Sequence, residues 1–133
     1  MSYLVSTKGR YALRIMLDMA EQEEGIAVPL KDIASRQDLS LKYLESIMPN
    51  LKENGLVTAV AGKGGGYKLT KLASEYTVGE ILRVSEDQIA PVACLNEGFT
   101  CSRADTCKTL PMWRELDSVI SDYLDTVKLT DLL

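Results

Sequence analysis

The feature that most constrains the fold is a glycine-rich loop between two short β-prone segments. Residues 61–66 read Ala-Gly-Lys-Gly-Gly-Gly, and residues 56–60 and 67–70 flank them. Glycines accept backbone angles that other residues avoid, which favours a tight turn between paired strands. A phosphate-binding loop is also glycine-rich, but it needs a helix directly after it and a closing Lys-Ser or Lys-Thr. We therefore predict a β-hairpin here and reject a phosphate-binding loop.

Three segments with a helical period of apolar residues precede this hairpin. The first starts at Ser6 and ends before Gly25, the second opens at residues 28–30, and the third runs from an N-cap at Ser40 to about Asn54. Pro49 falls inside the third helix and is expected to kink it. A short helix, a turn, a longer helix and a glycine-tipped hairpin is the order of a winged helix-turn-helix. We predict a mainly α fold with a small β-hairpin.

The last third of the chain contains two more predicted helices around an irregular segment. Residues 77–80 fit a capping box for a helix to about Val84, and a final helix begins at Pro111. Its apolar stripe is Trp113, Leu116, Ile120, Tyr123, Leu124 and Val127. A stripe this broad in a small chain favours packing against a second copy. We predict a DNA-binding domain over residues 1–84, a cysteine loop over 85–110, and a dimerisation helix and tail over 111–133.

Composition and charge exclude several classes of protein. The chain has 46% hydrophobic and 26% charged residues, which is typical of a folded soluble domain. We expect a cytoplasmic protein without a membrane partner, because there is no spanning apolar run and no secretory pattern at Met1–Lys8. Histidine is absent from the 133 residues, and no other acid–base set is visible, so we do not expect an enzyme.

The net charge of −4 hides an asymmetry between the two parts of the chain. Residues 1–83 carry 11 Lys and Arg against 10 Asp and Glu, whereas residues 84–133 carry 4 against 9. A surface that binds a polyanion is therefore expected in the first two thirds.

We predict that the third helix and the hairpin bind double-stranded DNA. Hydroxyl and cationic side chains at the start of a recognition helix suit base edges, and flanking cations suit phosphates. The candidates are Lys8, Arg10, Ser40, Lys42, Tyr43, Glu45, Ser46, Lys63, Gly64 and Lys68. The alternative is a small helical domain with ordinary surface lysines and serines.

Three cysteines, Cys94, Cys101 and Cys107, lie within 14 residues of irregular chain. Thiolates in a loop can bind an iron–sulfur cluster or zinc, although such sites normally use four ligands. Glu97 and Asp105 are the nearest candidate oxygen ligands. Redox-active thiols and inert cysteines remain alternatives to a metal or cluster site.

Several motifs together resemble bacterial transcription regulators of the IscR, NsrR and CymR family. They are residues 6–13 (Ser-Thr-Lys-Gly-Arg-Tyr-Ala-Leu), 28–30 (Val-Pro-Leu), 40–45 (Ser-Leu-Lys-Tyr-Leu-Glu), 54–57 (Asn-Gly-Leu-Val), 64–67 (Gly-Gly-Gly-Tyr) and 112–116 (Met-Trp-Arg-Glu-Leu). The resemblance implies a homodimer that binds a DNA operator and whose three cysteines hold a [2Fe–2S] or [4Fe–4S] cluster controlling operator binding.

The chain departs from that family's pattern at three positions. Leu110 stands where IscR has a histidine ligand, Arg10 where NsrR-like members have a carboxylate ligand, and Ala61 where IscR has a wing arginine. We therefore keep two alternatives beside the cluster sensor. One is a regulator of cysteine or sulfur metabolism whose thiols react directly with oxidants or sulfur species, and the other is controlled by a partner protein.

Overall fold

The computed structural model describes residues 5–86, 89–95 and 101–133. These residues form five α-helices and one antiparallel hairpin. The helices are α1 (Thr7–Glu21), α2 (Leu30–Gln37), α3 (Leu41–Glu53), α4 (Val78–Ser85) and α5 (Leu110–Thr126), and the strands are β1 (Val57–Val60) and β2 (Gly66–Leu69). Short 3₁₀ turns cover Ala73–Glu75, Ala93–Leu95 and Leu129–Leu132.

Local capping determines where α1 and α3 begin. The Ser6 hydroxyl accepts a hydrogen bond from the Gly9 amide, and the Ser40 hydroxyl accepts one from the Tyr43 amide, so each serine satisfies a free N–H of its first turn. Both helices therefore begin one residue after the serine. Helix α3 continues through Pro49, and Asn54 is its C-cap.

The two strands of the hairpin pair from Val57 with Leu69 to Val60 with Gly66. At the base, Val28 exchanges backbone hydrogen bonds with Tyr67, with N···O distances of 2.8 and 2.9 Å. A Cβ at Gly66 would overlap the Val28 carbonyl, so this approach of two backbones requires glycine. Since Val28 directly precedes Pro29, the N-cap of α2, the hairpin is fixed to the helix-turn-helix.

One hydrophobic core joins α1, α2, α3, β1 and α4. Tyr76 is fully buried in it, and its hydroxyl donates to the Leu56 carbonyl at 2.7 Å while accepting from the Thr70 amide at 2.9 Å. A buried hydroxyl needs hydrogen-bond partners, and the partners of Tyr76 join the end of the hairpin to the start of α4.

The N-terminus of α4 has only half of the predicted capping box. The Thr77 hydroxyl accepts from the Glu80 amide, as expected, but the Glu80 carboxylate accepts from Lys71 Nζ at 2.8 Å instead of from Thr77. Glu80 therefore forms an ion pair with a residue nine positions earlier in the chain.

Helix α5 packs against α4 but contributes little to the core. Within α5, all of which is described, only Leu110 is buried. The following 3₁₀ turn returns to the core through Leu129, which is fully buried, and the Leu129 amide donates to the Tyr76 carbonyl at 3.0 Å. Among the helices of the described ranges, none is long and apolar enough to cross a bilayer.

Candidate nucleic-acid interface and cysteine cavity

The start of α3 forms an exposed polar surface next to α1. Ser40, Lys42, Glu45 and Ser46 are exposed, as a base-contacting turn requires. Tyr43 differs from them. It is half-buried, and its ring meets the Tyr11 ring edge-to-face at 5.5 Å between centroids. Tyr43 therefore joins α3 to α1 as well as lying beside the predicted DNA contacts.

Arg14 is a cation on this surface that sequence analysis did not select. Its guanidinium lies 5.2 Å from the centre of the Tyr11 ring, and its Nε donates to the Gln37 side chain at 3.1 Å. Gln37 is the last residue of α2. Arg14 on α1 therefore contacts α2 next to the place where Tyr11 of α1 meets Tyr43 of α3. Its position four residues after Arg10, on the same side of a helix, was the available signal.

A buried carboxylate on α1 fixes the position of α2. Asp18 is 1% exposed, and both of its oxygens accept from the Arg36 guanidinium at 2.8–3.2 Å. Gln37 Nε2 adds a donor at 2.9 Å. Asp18 also escaped the sequence analysis. The sequence signal for Asp18 was its place among the apolar positions of α1, because a charged side chain is buried at such a position only when it is paired.

The predicted cations of the first part of the chain fall into two groups. Lys8, Arg10, Lys42 and Lys63 are exposed, and none takes part in an ion pair between described residues. Lys68 is half-buried and lines a cavity of about 440 Å³ between β2 and the end of α1, which Glu23 and Glu24 also line. The first group is therefore open to phosphates, whereas Lys68 lies beside acidic residues.

The tip of the hairpin is shaped by glycine. A Cβ at Gly65 would overlap the Val60 carbonyl, and the Gly65 amide donates to the Gly62 carbonyl at 3.0 Å. This turn exposes Lys63 and Gly64 at the end of the wing.

The three cysteines line one cavity of about 140 Å³ at the start of α5. Its other lining residues are Ala104, Leu110 and Arg114. Cys94 and Cys101 are exposed, Cys107 is half-exposed, and all three thiols are free. Three residues spread over a span of 14 positions therefore share one small space.

The thiols share this cavity without forming a preorganised metal site. Within the described ranges, no three His, Cys, Asp or Glu side chains are close enough together to hold a metal ion. Asp105 is exposed and is not among the residues that line the cavity, and Glu97 lies outside the described residues. Three soft sulfur donors fit the chemistry of an iron–sulfur cluster, and Leu110 and Arg114 supply no fourth donor.

The start of α5 stabilises the thiolate of Cys107. The Thr109 hydroxyl hydrogen-bonds to this sulfur, and the backbone amides of Thr109 and Leu110 and the charge of Arg103 act in the same direction. Together they lower the pKa of the Cys107 thiol below its ordinary value. The Sγ to Thr109 Oγ1 distance is 3.3 Å.

A helix-turn-helix with a hairpin fixed beside it, followed by a long C-terminal helix, defines the class of winged-helix regulators. A family model described as "Rrf2: Iron-dependent Transcriptional regulator" matches residues 5–133. The chain belongs to this family of transcription regulators, which confirms the resemblance and the fold predicted from the sequence.

Individual relatives give the same result. The HTH-type transcriptional regulator IscR of Escherichia coli O1:K1 / APEC is 40% identical over 129 residues, which is 97% of this chain and 79% of that protein. The structure of CymR, the global cysteine regulator of B. subtilis, matches with a TM-score of 0.79 at 35% identity, covering 99% of this chain and 96% of CymR. IscR of T. potens matches with a TM-score of 0.74 at 36% identity, covering 96% and 84%. These relatives are named as regulators, a role that is not enzymatic, in agreement with the prediction.

Proposed function

We propose that this protein is a homodimeric, cytoplasmic transcription regulator whose affinity for a DNA operator depends on an iron–sulfur cluster held by Cys94, Cys101 and Cys107. The observation that carries the proposal is the shared cavity of the three thiols at the start of α5. The family description as iron-dependent and the relation to IscR support it.

DNA binding in this proposal uses the N-terminal turn of α3 and the wing. Ser40, Lys42, Glu45 and Ser46 face base edges, and Tyr43 adds its hydroxyl beside them. Lys8, Arg10, Lys63 and the Gly64 backbone bind phosphates, and Lys68, half-buried beside Glu23 and Glu24, is the weakest of the predicted phosphate contacts. The exposure of Lys8, Arg10, Lys42 and Lys63, none of which is in an ion pair between described residues, supports their contact with DNA.

The cysteine loop supplies the response. A cluster held by the three thiols would supply redox chemistry and sensitivity to oxygen or small ligands. The chain's own part is to hold the cluster through three thiols and to carry a change in this loop to the helices that bind DNA. Arg114 lines the same cavity beside the three thiols.

The dimer in this proposal is formed by α5. Four apolar residues spaced by four, three and four positions on one face are exposed: Met112 51%, Leu116 40%, Val119 59% and Tyr123 66%. A second copy of the same helix would cover this face. Of the predicted stripe, Leu116 and Tyr123 lie on this exposed face. The other four residues, Trp113, Ile120, Leu124 and Val127, are half-buried in their own protomer.

The test is anaerobic purification followed by an absorption spectrum and by iron and sulfide analysis. We expect a coloured protein that loses its colour in Cys101→Ala while its circular dichroism is unchanged. Operator affinity is then measured with and without the cluster. Protein without iron, or equal affinity in both forms, rejects the cluster sensor.

A second candidate is a metal-free thiol regulator of cysteine or sulfur metabolism. The lowered pKa of Cys107 and the exposure of the other two thiols favour it, because thiolates are the reactive form. The relation to the global cysteine regulator of B. subtilis points the same way. Control by a partner protein is the third alternative. Iron-free protein whose operator affinity changes on thiol oxidation would select the thiol regulator, and affinity that changes only when a second protein is added would select the third.

A further inference from the structure

The end of α4 is attached to the start of α1 by a carboxylate. Glu86 Oε1 accepts two hydrogen bonds from Ser6, one from its backbone amide and one from its hydroxyl, both at 2.7 Å. Ser6 is the N-cap of α1, and its hydroxyl in turn accepts from the Gly9 amide at 3.2 Å. The carboxylate of Glu86 is therefore part of the cap of a helix that lies 80 residues earlier in the chain.

This contact is close and charge-complementary. A Cβ at Gly9 would overlap Glu86 Oε1, so the carboxylate rests directly on the first turn of α1. That turn contains no acidic residue of its own. Because the N-terminus of a helix carries a partial positive charge, Glu86 supplies the negative charge that α1 lacks.

A second contact joins the same end of α4 to α3. Asn50 Nδ2 donates to the Val84 carbonyl at 2.7 Å, and Asn50 lies in the last turn of α3. Residues 84–86 thus touch both helices that carry the predicted DNA contacts.

Glu86 lies along the chain between α4 and the segment that contains the cysteines. Glu86 is the C-cap of α4, and its amide donates to the Leu82 carbonyl at 2.8 Å. The chain that follows it leads to Cys94, Cys101 and Cys107. A change at the cysteines that moves this segment can reach residues 84–86 along the chain, and through them the first turn of α1 with Lys8 and Arg10.

We infer that Glu86 is a positioning residue that couples the cysteine segment to DNA binding. With Glu86 on Ser6, the first turn of α1 is held in the orientation that binds phosphates, and release of Glu86 weakens that orientation. The inference rests on the proposed control of DNA binding by the cysteines. A ligand or modification shifts the equilibrium between a state that binds DNA tightly and one that binds it weakly only through a contact that differs between these states. The Glu86–Ser6 contact supplies one.

The experiment compares DNA affinity before and after the cysteines are changed. The full chain is freed of iron with a chelator, and operator affinity is measured with free thiols and after alkylation by iodoacetamide. In the wild type we expect a ratio of about five or more, within the usual range of coupling between sites. In Glu86→Ala the ratio should fall toward 1.

Glu80→Ala is the matched control, because Glu80 is a carboxylate of the same helix that pairs with Lys71 and not with α1. Its ratio should equal that of the wild type. A large wild-type ratio that persists in Glu86→Ala overturns the coupling role of Glu86 and leaves the proposed function intact. A wild-type ratio of 1 overturns the inference, and the proposed function is then decided separately by operator affinity with and without the cluster.

A second measurement keeps the inference testable if Glu86→Ala does not fold. Amide hydrogen exchange is followed in residues 6–10 of the wild type and of Glu86→Gln, which retains an acceptor oxygen but not the charge. Alkylation should speed exchange of these amides in the wild type and change it less in Glu86→Gln. Unchanged exchange in the wild type contradicts the inference.

Discussion

The rings of Tyr11 on α1 and Tyr43 on α3 meet edge-to-face, with centroids 5.5 Å apart and planes at 87°. Edge-to-face pairs are stabilising because the positive edge of one ring faces the negative face of the other. The pair orients the first turn of α3, and so it connects the packing of the domain with the surface proposed to bind DNA.

Two substitutions at Tyr43 should separate its packing from its contact with DNA. Tyr43→Phe keeps the ring, so the free energy of unfolding should stay within about 0.5 kcal/mol of wild type, while discrimination between operator and random DNA falls. Tyr43→Ala should lose discrimination and also about 1–3 kcal/mol of stability, less than a fully buried aromatic would lose. Urea unfolding and binding to the two DNAs measure both. If Tyr43→Phe discriminates as well as wild type, the hydroxyl does not contact a base.

Lys63 should contribute to affinity without contributing to specificity. Lys63→Ala removes an exposed cation at the wing tip, so binding should weaken equally on operator and random DNA, and the slope of log affinity against log salt should fall by about 1. Lys52→Ala, an exposed lysine in the last turn of α3, is the control and should leave the slope unchanged. A slope unchanged by Lys63→Ala would place the wing away from the phosphates.

Local signals explain which parts of this structure could be predicted from the sequence. The serine caps of α1 and α3, the glycine-tipped hairpin and the periods of the helices depend on neighbours a few residues away. The structure has the caps and the hairpin within one residue of their predicted places, whereas α1 ends at Glu21, before the predicted end next to Gly25. The split capping box at α4 shows the limit, since the partner of Glu80 is Lys71 rather than Thr77.

The contacts that escaped prediction join distant parts of the chain. Asp18 with Arg36, Glu86 with Ser6 and the burial of Leu129 depend on how the helices pack, and their residue types alone indicate a solvated surface or a loose tail. The shared cavity of the three cysteines could be predicted only in part. Their grouping is visible in the sequence, but the arrangement of the loop that brings them together is not.

The pair of Asp18 and Arg36 should show an asymmetric response to mutation. Arg36→Ala leaves a buried carboxylate with Gln37 as its remaining side-chain donor, and we expect a loss of about 3 kcal/mol. Asp18→Ala leaves Arg36, whose side chain is 40% exposed and therefore hydrated, so it should cost less, about 1–2 kcal/mol. Denaturant unfolding of both variants tests the order. A larger loss for Asp18→Ala would mean that the packing of residue 18 outweighs its charge.

The ion pair between Arg83 on α4 and Asp125 on α5 should make stability depend on pH in acid. Arg83 holds the pKa of Asp125 below its ordinary value of 3.8. A depressed carboxyl pKa stabilises the fold above the unfolded pKa, and this contribution disappears as the pH falls through the folded pKa. Arg83→Gln should therefore reduce the loss of stability between about pH 5 and pH 2. Because both side chains are 46% exposed, the difference should also shrink at 1 M salt. An Arg83→Gln profile parallel to that of the wild type would exclude a contribution from the pair.

The exposed face of α5 should be the surface through which two copies associate. Val119→Glu with Tyr123→Glu places two charges in that face, and sedimentation should then show monomers, since each apolar side chain buried there contributes roughly 1.5–3 kcal/mol. Ile120 and Leu124 are less informative positions because they are half-buried in their own protomer, where a charge would also disturb the fold. Ser118→Glu adds a charge at an exposed polar position of α5 outside that face and should remain dimeric. The monomeric variant should also bind the operator more weakly than the control, because two recognition helices about one helical turn, roughly 34 Å, apart no longer bind together. A dimer that survives both charges in the apolar face would locate the interface elsewhere.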